Sequence, residues 1–182
     1  YTVKREAAGP DQELVFESSS GLKVYWNRDA FPRAWTVHEA VRIRTVPEIQ
    51  AIMDGGDMDL RRRTFLMEEP PLMEKCDGTD QARLVKRNSL RTVIEADLAC
   101  RGMVVLGDSY SPGWRATVDG KPARIYEAYT AIRGVVVDKG RHTIDMRYQP
   151  TSVIAGGVLT LLGLAGAIAL NLAARRREAR QT

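Results

Sequence analysis

Few side chains in this chain are grouped as catalysis or metal binding requires. The two histidines, His38 and His142, are far apart, and neither has a Cys or His beside it, so no zinc spacing is present. His142 alternates onto the apolar side of a strand pattern, where a satisfied structural role is the better reading. The acidic loop Asp54-Gly-Gly-Asp57-Met-Asp59 lacks the later glutamate and the glycine position of a calcium loop, and reads as a solvated turn. Glu68 and Glu69 are adjacent in a strand pattern and point to opposite faces, which makes them a poor acid–base pair. Ser89, Ser109 and Ser111 sit in no nucleophile motif, and no glycine loop cradles a phosphate. Arg61-Arg62-Arg63 precede a strand and read as a solvated edge. No catalytic, metal-binding or cofactor-binding residue emerges.

The aromatic residues offer binding chemistry instead. Trp26, Trp35, Tyr110, Trp114, Tyr126 and Tyr129 could stack on sugars, with Asp108 or Arg115 bonding hydroxyls; Tyr110, Trp114 and Tyr129 are the candidates for glycan or partner contact. The alternative is that the tryptophans fill a core. Cys76 and Cys100 are the only cysteines. Joined, they would stabilise the fold by ~3 kcal/mol; two free thiols are the other possibility.

The elements that must position these groups begin with a membrane segment. Ser152 to Ala174 is long and apolar, and no residue from Tyr148 to Ala174 carries a charge. At ~1.5 Å rise per residue, about 20 residues span a hydrocarbon core. Arg175, Arg176, Arg177 and Arg180 follow with only Glu178 among them, so residues 175–182 read as a basic cytoplasmic tail that meets anionic lipid, and residues 1–149 as the outer part. Four arginines less one glutamate give +3 of the formal +4, which leaves no net-charge argument for nucleic acid. Within the helix, Gly156, Thr160, Gly163, Ala167 and Ala174 fall on one stripe of small residues, a face on which other membrane helices could pack. The sequence begins with Tyr1 and shows no N-terminal export signal, so export to the outer side implies a lost signal or preceding membrane helices.

Residues 1–149 read as one mainly β domain, an antiparallel sandwich. Expected strands are Glu13–Glu17, Leu22–Trp26, Ala34–Val37, Val41–Thr45, Thr64–Met67, Ala82–Arg87, Leu90–Ala96, Met103–Leu106, Trp114–Val118, Ala123–Tyr126, Ala131–Val137 and Arg141–Tyr148. Asp119-Gly120 supplies a two-residue hairpin turn, and Pro47–Met53 a short helix stopped by Gly55-Gly56.

These residues resemble the C-terminal end of the YfhO family of bacterial membrane proteins. The resemblance rests on Tyr110-Ser-Pro-Gly-Trp-Arg-Ala-Thr-Val-Asp-Gly-Lys-Pro122, on Tyr129–Val137, and on Gly140-Arg-His-Thr-Ile-Asp-Met-Arg-Tyr-Gln-Pro150 with a membrane helix directly after. Val24-Tyr-Trp-Asn27, Pro32-Arg-Ala-Trp35 with Val37-His38, and Asp59-Leu-Arg-Arg-Arg-Thr64 extend it over roughly residues 20 to 175. The family implies large polytopic proteins similar to glycosyltransferases that use polyprenyl-phosphate sugars and decorate envelope polymers. Its catalytic acid lies in an early loop with no counterpart here, so no catalytic residue carries over.

Two functions are expected from this reading. One is a non-catalytic single-helix protein of the bacterial inner membrane, an accessory or structural subunit of a larger assembly such as a respiratory or photosynthetic complex. Its partners would be other integral membrane proteins, with an envelope glycan as a further ligand. The other is the C-terminal part of a YfhO-like glycosyltransferase, whose β-domain guides the acceptor glycan.

Overall fold

The computed structural model describes residues 1–6, 9, 11–56, 58–76 and 78–178, with the backbone alone for residue 154 and residues 172–178. Asp57 and Arg180 therefore lie outside the described residues, as do the side chains of Ala174, Arg175, Arg176 and Arg177. The chain divides into two compact units, Tyr1–Arg33 and Ala34–Thr182.

The first unit is a three-stranded antiparallel sheet of β1 (Thr2–Lys4), β2 (Gln12–Glu17) and β3 (Lys23–Asn27) in the order β1-β3-β2. The turn between β2 and β3 closes on Ser18, whose carbonyl accepts from the Gly21 N–H at 3.0 Å, with Gly21 at φ 78°. That positive φ is open to glycine without steric cost. Asn27 Nδ2 donates to Thr2 Oγ1 at 2.9 Å and ties β1 to β3.

The second unit holds two antiparallel sheets around one core. Strands β4 (Ala34–Val37), β9 (Gly102–Ser109), β12 (Ile125–Ala128) and β13 (Ile132–Val137) form a sheet ordered β12-β13-β9-β4. Strands β7 (Gln81–Arg87), β8 (Arg91–Leu98), β10 (Trp114–Val118), β11 (Lys121–Ala123) and β14 (Gly140–Tyr148) form the other, ordered β11-β10-β14-β8-β7. Ile94, Ala96, Ile144 and Met146 from the five-stranded sheet meet Val104, Leu106 and Val135 from the four-stranded one. The alternation in β14 produces this directly, because Ile144 and Met146 turn inward while Arg141, Thr143 and Arg147 face water. In β9 both faces are covered: Val104 and Leu106 enter this core, and Met103 and Val105 enter a second one with Val37, Leu66 and Ala128. A strand buried on both sides reads as an unbroken apolar run, which is why Met-Val-Val-Leu shows no alternation.

The expected antiparallel β-sandwich is thus observed, with three departures in detail. The return strand expected over Ala123–Tyr126 breaks at Arg124 into β11 and β12, which belong to different sheets. Pro122 has no N–H to give a further partner, so β11 stays a short edge strand and the chain crosses to the other sheet. The turn before it is as expected: Asp119 at φ 51° and Gly120 at φ 80° join Val118 to Lys121, the positive-φ pair of a tight hairpin. Second, β5 (Glu39–Arg42) and β6 (Arg63–Leu66) pair in parallel. Parallel neighbours need a long crossover, and the short helix α1 (Val46–Gly55) supplies it. At the start of α1 the Glu48 carboxylate accepts the Arg44 N–H at 3.0 Å and the Thr45 hydroxyl at 2.9 Å, and Gly56 ends the helix at φ 65°. Third, β1 was not expected at all.

Strand β14 ends at Tyr148, and after Gln149 and Pro150 the chain enters α2 (Thr151–Glu178). The stretch Thr151–Asn171 is apolar enough to cross a membrane, with mean hydropathy 2.3, and none of its described residues is buried. Thr160 Oγ1 donates back to the Gly156 carbonyl at 2.8 Å. The hydroxyl on the small-residue stripe is therefore satisfied within its own helix, leaving close packing as what the stripe can offer.

Candidate functional site

Two clusters of polar and aromatic side chains lie in the second unit, and the sequence indicated neither completely. The first is built where β4 ends and β8 turns into β9. Cys76 and Cys100 are joined, with Cα atoms 6.4 Å apart. His38 directly follows β4, and its Nδ1 lies 3.5 Å from Cys100 Sγ and 3.0 Å from the Glu74 carbonyl. The spacing in sequence suggested that His38 had no sulfur neighbour; pairing of β4 with β9 brings it to one across 62 residues. Its Nε2 lies 2.5 Å from Asp80 Oδ2. Gly102 makes room for the ring, since a Cβ there would sit 2.6 Å from His38 Cε1. Asp80 also accepts the Ala99 N–H at 2.9 Å. Burial pushes the Asp80 carboxyl up, but the bonds from Ala99, His38 and Thr36 outweigh it and hold the group below the ordinary carboxylate range. Asp80 was not among the residues singled out from the sequence, and its only signal there is that it falls four positions after Cys76. An open groove of about 510 Å³, lined in part by His38, Glu39, Arg63, Lys75, Cys76 and Asp80, gives solvent access to this cluster.

The second cluster sits at the end of the sandwich from which the chain enters α2. Arg133 is 2 % exposed, its guanidinium lying 3.8 Å over the Trp114 ring with Nη2 3.2 Å from Asp108 Oδ2. The Trp114 ring also packs on Tyr148, with centroids 5.4 Å apart, and Gly113 allows that approach because a Cβ there would lie 2.5 Å from the Tyr148 ring. Arg87 holds the same Asp108 carboxylate with two hydrogen bonds of 3.1 and 2.8 Å. On the next strands Arg91 forks onto Asp145 at 2.9 and 2.9 Å, and Arg147 joins it at 2.9 Å.

The aromatic residues singled out from the sequence make the following contacts within the fold. Trp114 already carries a guanidinium on its ring, and Asp108 is occupied by two arginines. Tyr129 is a pin of the fold: its hydroxyl donates toward the Leu60 and Arg63 carbonyls at 2.6 and 2.9 Å, and its ring packs on Phe65 and Trp35. Burial pushes its phenol up to about 12. Its positive φ of 51° is unusual for a non-glycine residue and is held by these contacts. Tyr110 is half-buried in the loop after β9, and Arg115 bonds the Pro112 carbonyl. Trp26, in the first unit, is 45 % exposed and fills no core. Glu68 and Glu69 lie beyond the end of β6, not in a strand as expected, and pair separately with Arg124 and Arg42. In the acidic loop, Asp59 accepts the Arg61 N–H at 3.0 Å, a local turn bond.

His142 takes the structural role expected of it, with Nδ1 2.7 Å from Asp119 Oδ2. That bond raises the imidazole pKa, burial opposing it, while the Thr143 N–H and then His142 hold Asp119 low. A raised folded-state value means the stabilisation is full below the unfolded value of about 6.5 and is lost as pH rises through the folded one. His142→Gln is therefore expected to lower the thermal midpoint more at about pH 5.5 than at about pH 9. Melting both proteins across that range checks it; an equal gap at both ends would assign the loss to packing.

The family model described as Bacterial membrane protein YfhO matches residues 78–160, from the turn before β7 to the first turns of α2. Of the resemblance read from the sequence over roughly residues 20 to 175, this match covers the part from Tyr110 to Pro150, which includes Trp114, Arg133 and Tyr148. The match supports a membrane protein. Neither a curated protein nor a solved structure matches the chain.

Proposed function

We propose that this chain works as a non-catalytic, membrane-tethered β-sandwich, an accessory or structural subunit of a larger integral-membrane assembly. The observation that supports this most is the two-residue passage from β14 into α2. A core strand that continues almost at once into the membrane helix holds the sandwich at the bilayer surface. A helix whose described side chains are all exposed to lipid or to neighbours can then dock beside other helices. The partners on this reading are integral membrane proteins, with Gly156, Thr160, Gly163 and Ala167 at the closest approach. The location is the bacterial inner membrane, with the sandwich on the outer side and Arg175, Arg176 and Arg177 inside against anionic lipid. The joined Cys76 and Cys100 favour that side, because disulfides persist outside the reducing cytoplasm.

The match over residues 78–160 favours a second reading, in which the sandwich and α2 are the C-terminal part of a YfhO-like enzyme using polyprenyl-phosphate sugars. Gentle extraction of the native membrane followed by intact-mass measurement separates the two. A mass near 20.3 kDa with defined membrane partners supports the subunit. A chain several times heavier places the chemistry in other parts of the same polypeptide and rejects the subunit reading.

A further inference from the structure

Beyond this tethering role, we propose that His38, Cys76 and Cys100 form a soft-metal site when the disulfide is reduced, with Asp80 as the carboxylate that orients the histidine. His38 Nδ1, Cys76 Sγ and Cys100 Sγ all lie within 4.8 Å of one another. A tetrahedral ion with M–N of about 2.05 Å and M–S of about 2.3 Å has an N···S edge of about 3.6 Å. The observed Nδ1–Cys100 Sγ separation is 3.5 Å, so that edge is in place before any metal enters. The two thiolates need only part to an edge of about 3.8 Å. Zinc and similar ions favour this donor set, two thiolates and an imidazole, with the fourth position open.

The outer shell is the stronger argument. A metal-bound imidazole almost always gives its second nitrogen to a carboxylate or carbonyl, which fixes the ring and raises its basicity. Here Nε2 faces Asp80, which the Ala99 N–H holds in place, and Gly102 leaves the space the ring occupies. Lys75 and Arg63 line the groove, but both are drawn to Glu39 at 3.1 Å, and the groove leaves Cys76 reachable.

The chemistry balances as follows. A dithiol reductant gives two electrons and two protons to the Cys76–Cys100 bond and leaves as its own disulfide. The metal ion then displaces the two thiol protons and takes the Nδ1 lone pair of the imidazole tautomer that carries its single N–H on Nε2, toward Asp80. Two protons are released. Disulfide and metal exclude each other, because the same sulfur electrons serve both.

The test uses the full chain in detergent micelles, titrated with cobalt(II) and then zinc(II), with and without prior reduction. Reduced protein should take up one cobalt with thiolate-to-metal charge-transfer bands that zinc abolishes, and the oxidised protein should show none. His38→Ala should weaken binding at least tenfold, and Asp80→Asn should weaken it about 10–100-fold, the usual range for an outer-shell partner. Alkylation of both thiols, read by mass, should slow when zinc is added. No cobalt spectrum in the reduced chain overturns the proposal. So does equal affinity in His38→Ala, which would mean that two thiols of an opened chain bind without the site. Equal uptake by the oxidised protein places the metal elsewhere and also overturns it.

Discussion

Asp108→Ala is expected to destabilise the sandwich by about 3–5 kcal/mol, the range for removing one partner of a buried ion pair. Asp108 is the carboxylate against Arg133, whose side chain is 3 % exposed. Burial already pulls the Arg133 guanidinium down from its ordinary value, and Asp108 is the charge that opposes the shift. Without it, a cation remains enclosed by Trp114 and by Met146, whose sulfur is 3.9 Å from Nη1. The face of Trp114 compensates only partly, since a cation–π contact is worth about 2 kcal/mol when desolvated. The companion experiment removes the charge as well. Asp108→Ala combined with Arg133→Met should recover much of the loss, because a buried pair replaced by apolar side chains is often neutral. Urea unfolding followed by tryptophan fluorescence measures all three proteins. A loss below about 1 kcal/mol for Asp108→Ala would mean that Arg133 reaches water, and the pair would then be a surface bridge.

The same residues show what could be read from the chain and what could not. The alternation His142, Ile144, Met146, Tyr148 against Arg141, Thr143, Asp145, Arg147 placed β14 on its correct face, and Asp119-Gly120 placed a hairpin turn that the backbone confirms. Local period and turn chemistry are properties of a few neighbouring residues, so a sequence carries them. Trp114 was legible as an aromatic, but its use was not. Whether its ring meets a sugar or a guanidinium depends on Arg133, which reaches it from the other sheet. His38, Cys76, Asp80 and Cys100 give no metal spacing because strand pairing, not local structure, collects them. The parallel pair β5–β6 was hidden for a related reason: the helix between them was visible, but the direction of the returning strand is a matter of pairing between distant residues that no local pattern states.

Replacing Leu161 and Leu164 together by arginine is expected to remove the chain from the membrane. Both lie near the middle of Thr151–Asn171, and they are 69 % and 58 % exposed. An arginine at the centre of a membrane helix costs about 2.5–3.5 kcal/mol on the insertion scale, and each lost leucine forfeits about 0.5 kcal/mol more. The two changes together come to about 7 kcal/mol, enough to turn a favourable insertion unfavourable. Full chain carrying both substitutions should leave the alkali-resistant membrane fraction, whereas Leu161→Ala with Leu164→Ala should stay in it. A doubly charged variant that remains membrane-bound in normal amount would show that α2 is not the anchor. That outcome would point to a core helix instead, which the structure opposes, since Leu159, Leu162 and Leu170 are also 68 %, 65 % and 74 % exposed. Leucines exposed around a helix without a buried side are stable in hydrocarbon and not in water. Tyr148, Trp114, Arg147 and Arg91 stand at the end of the sheet from which α2 departs.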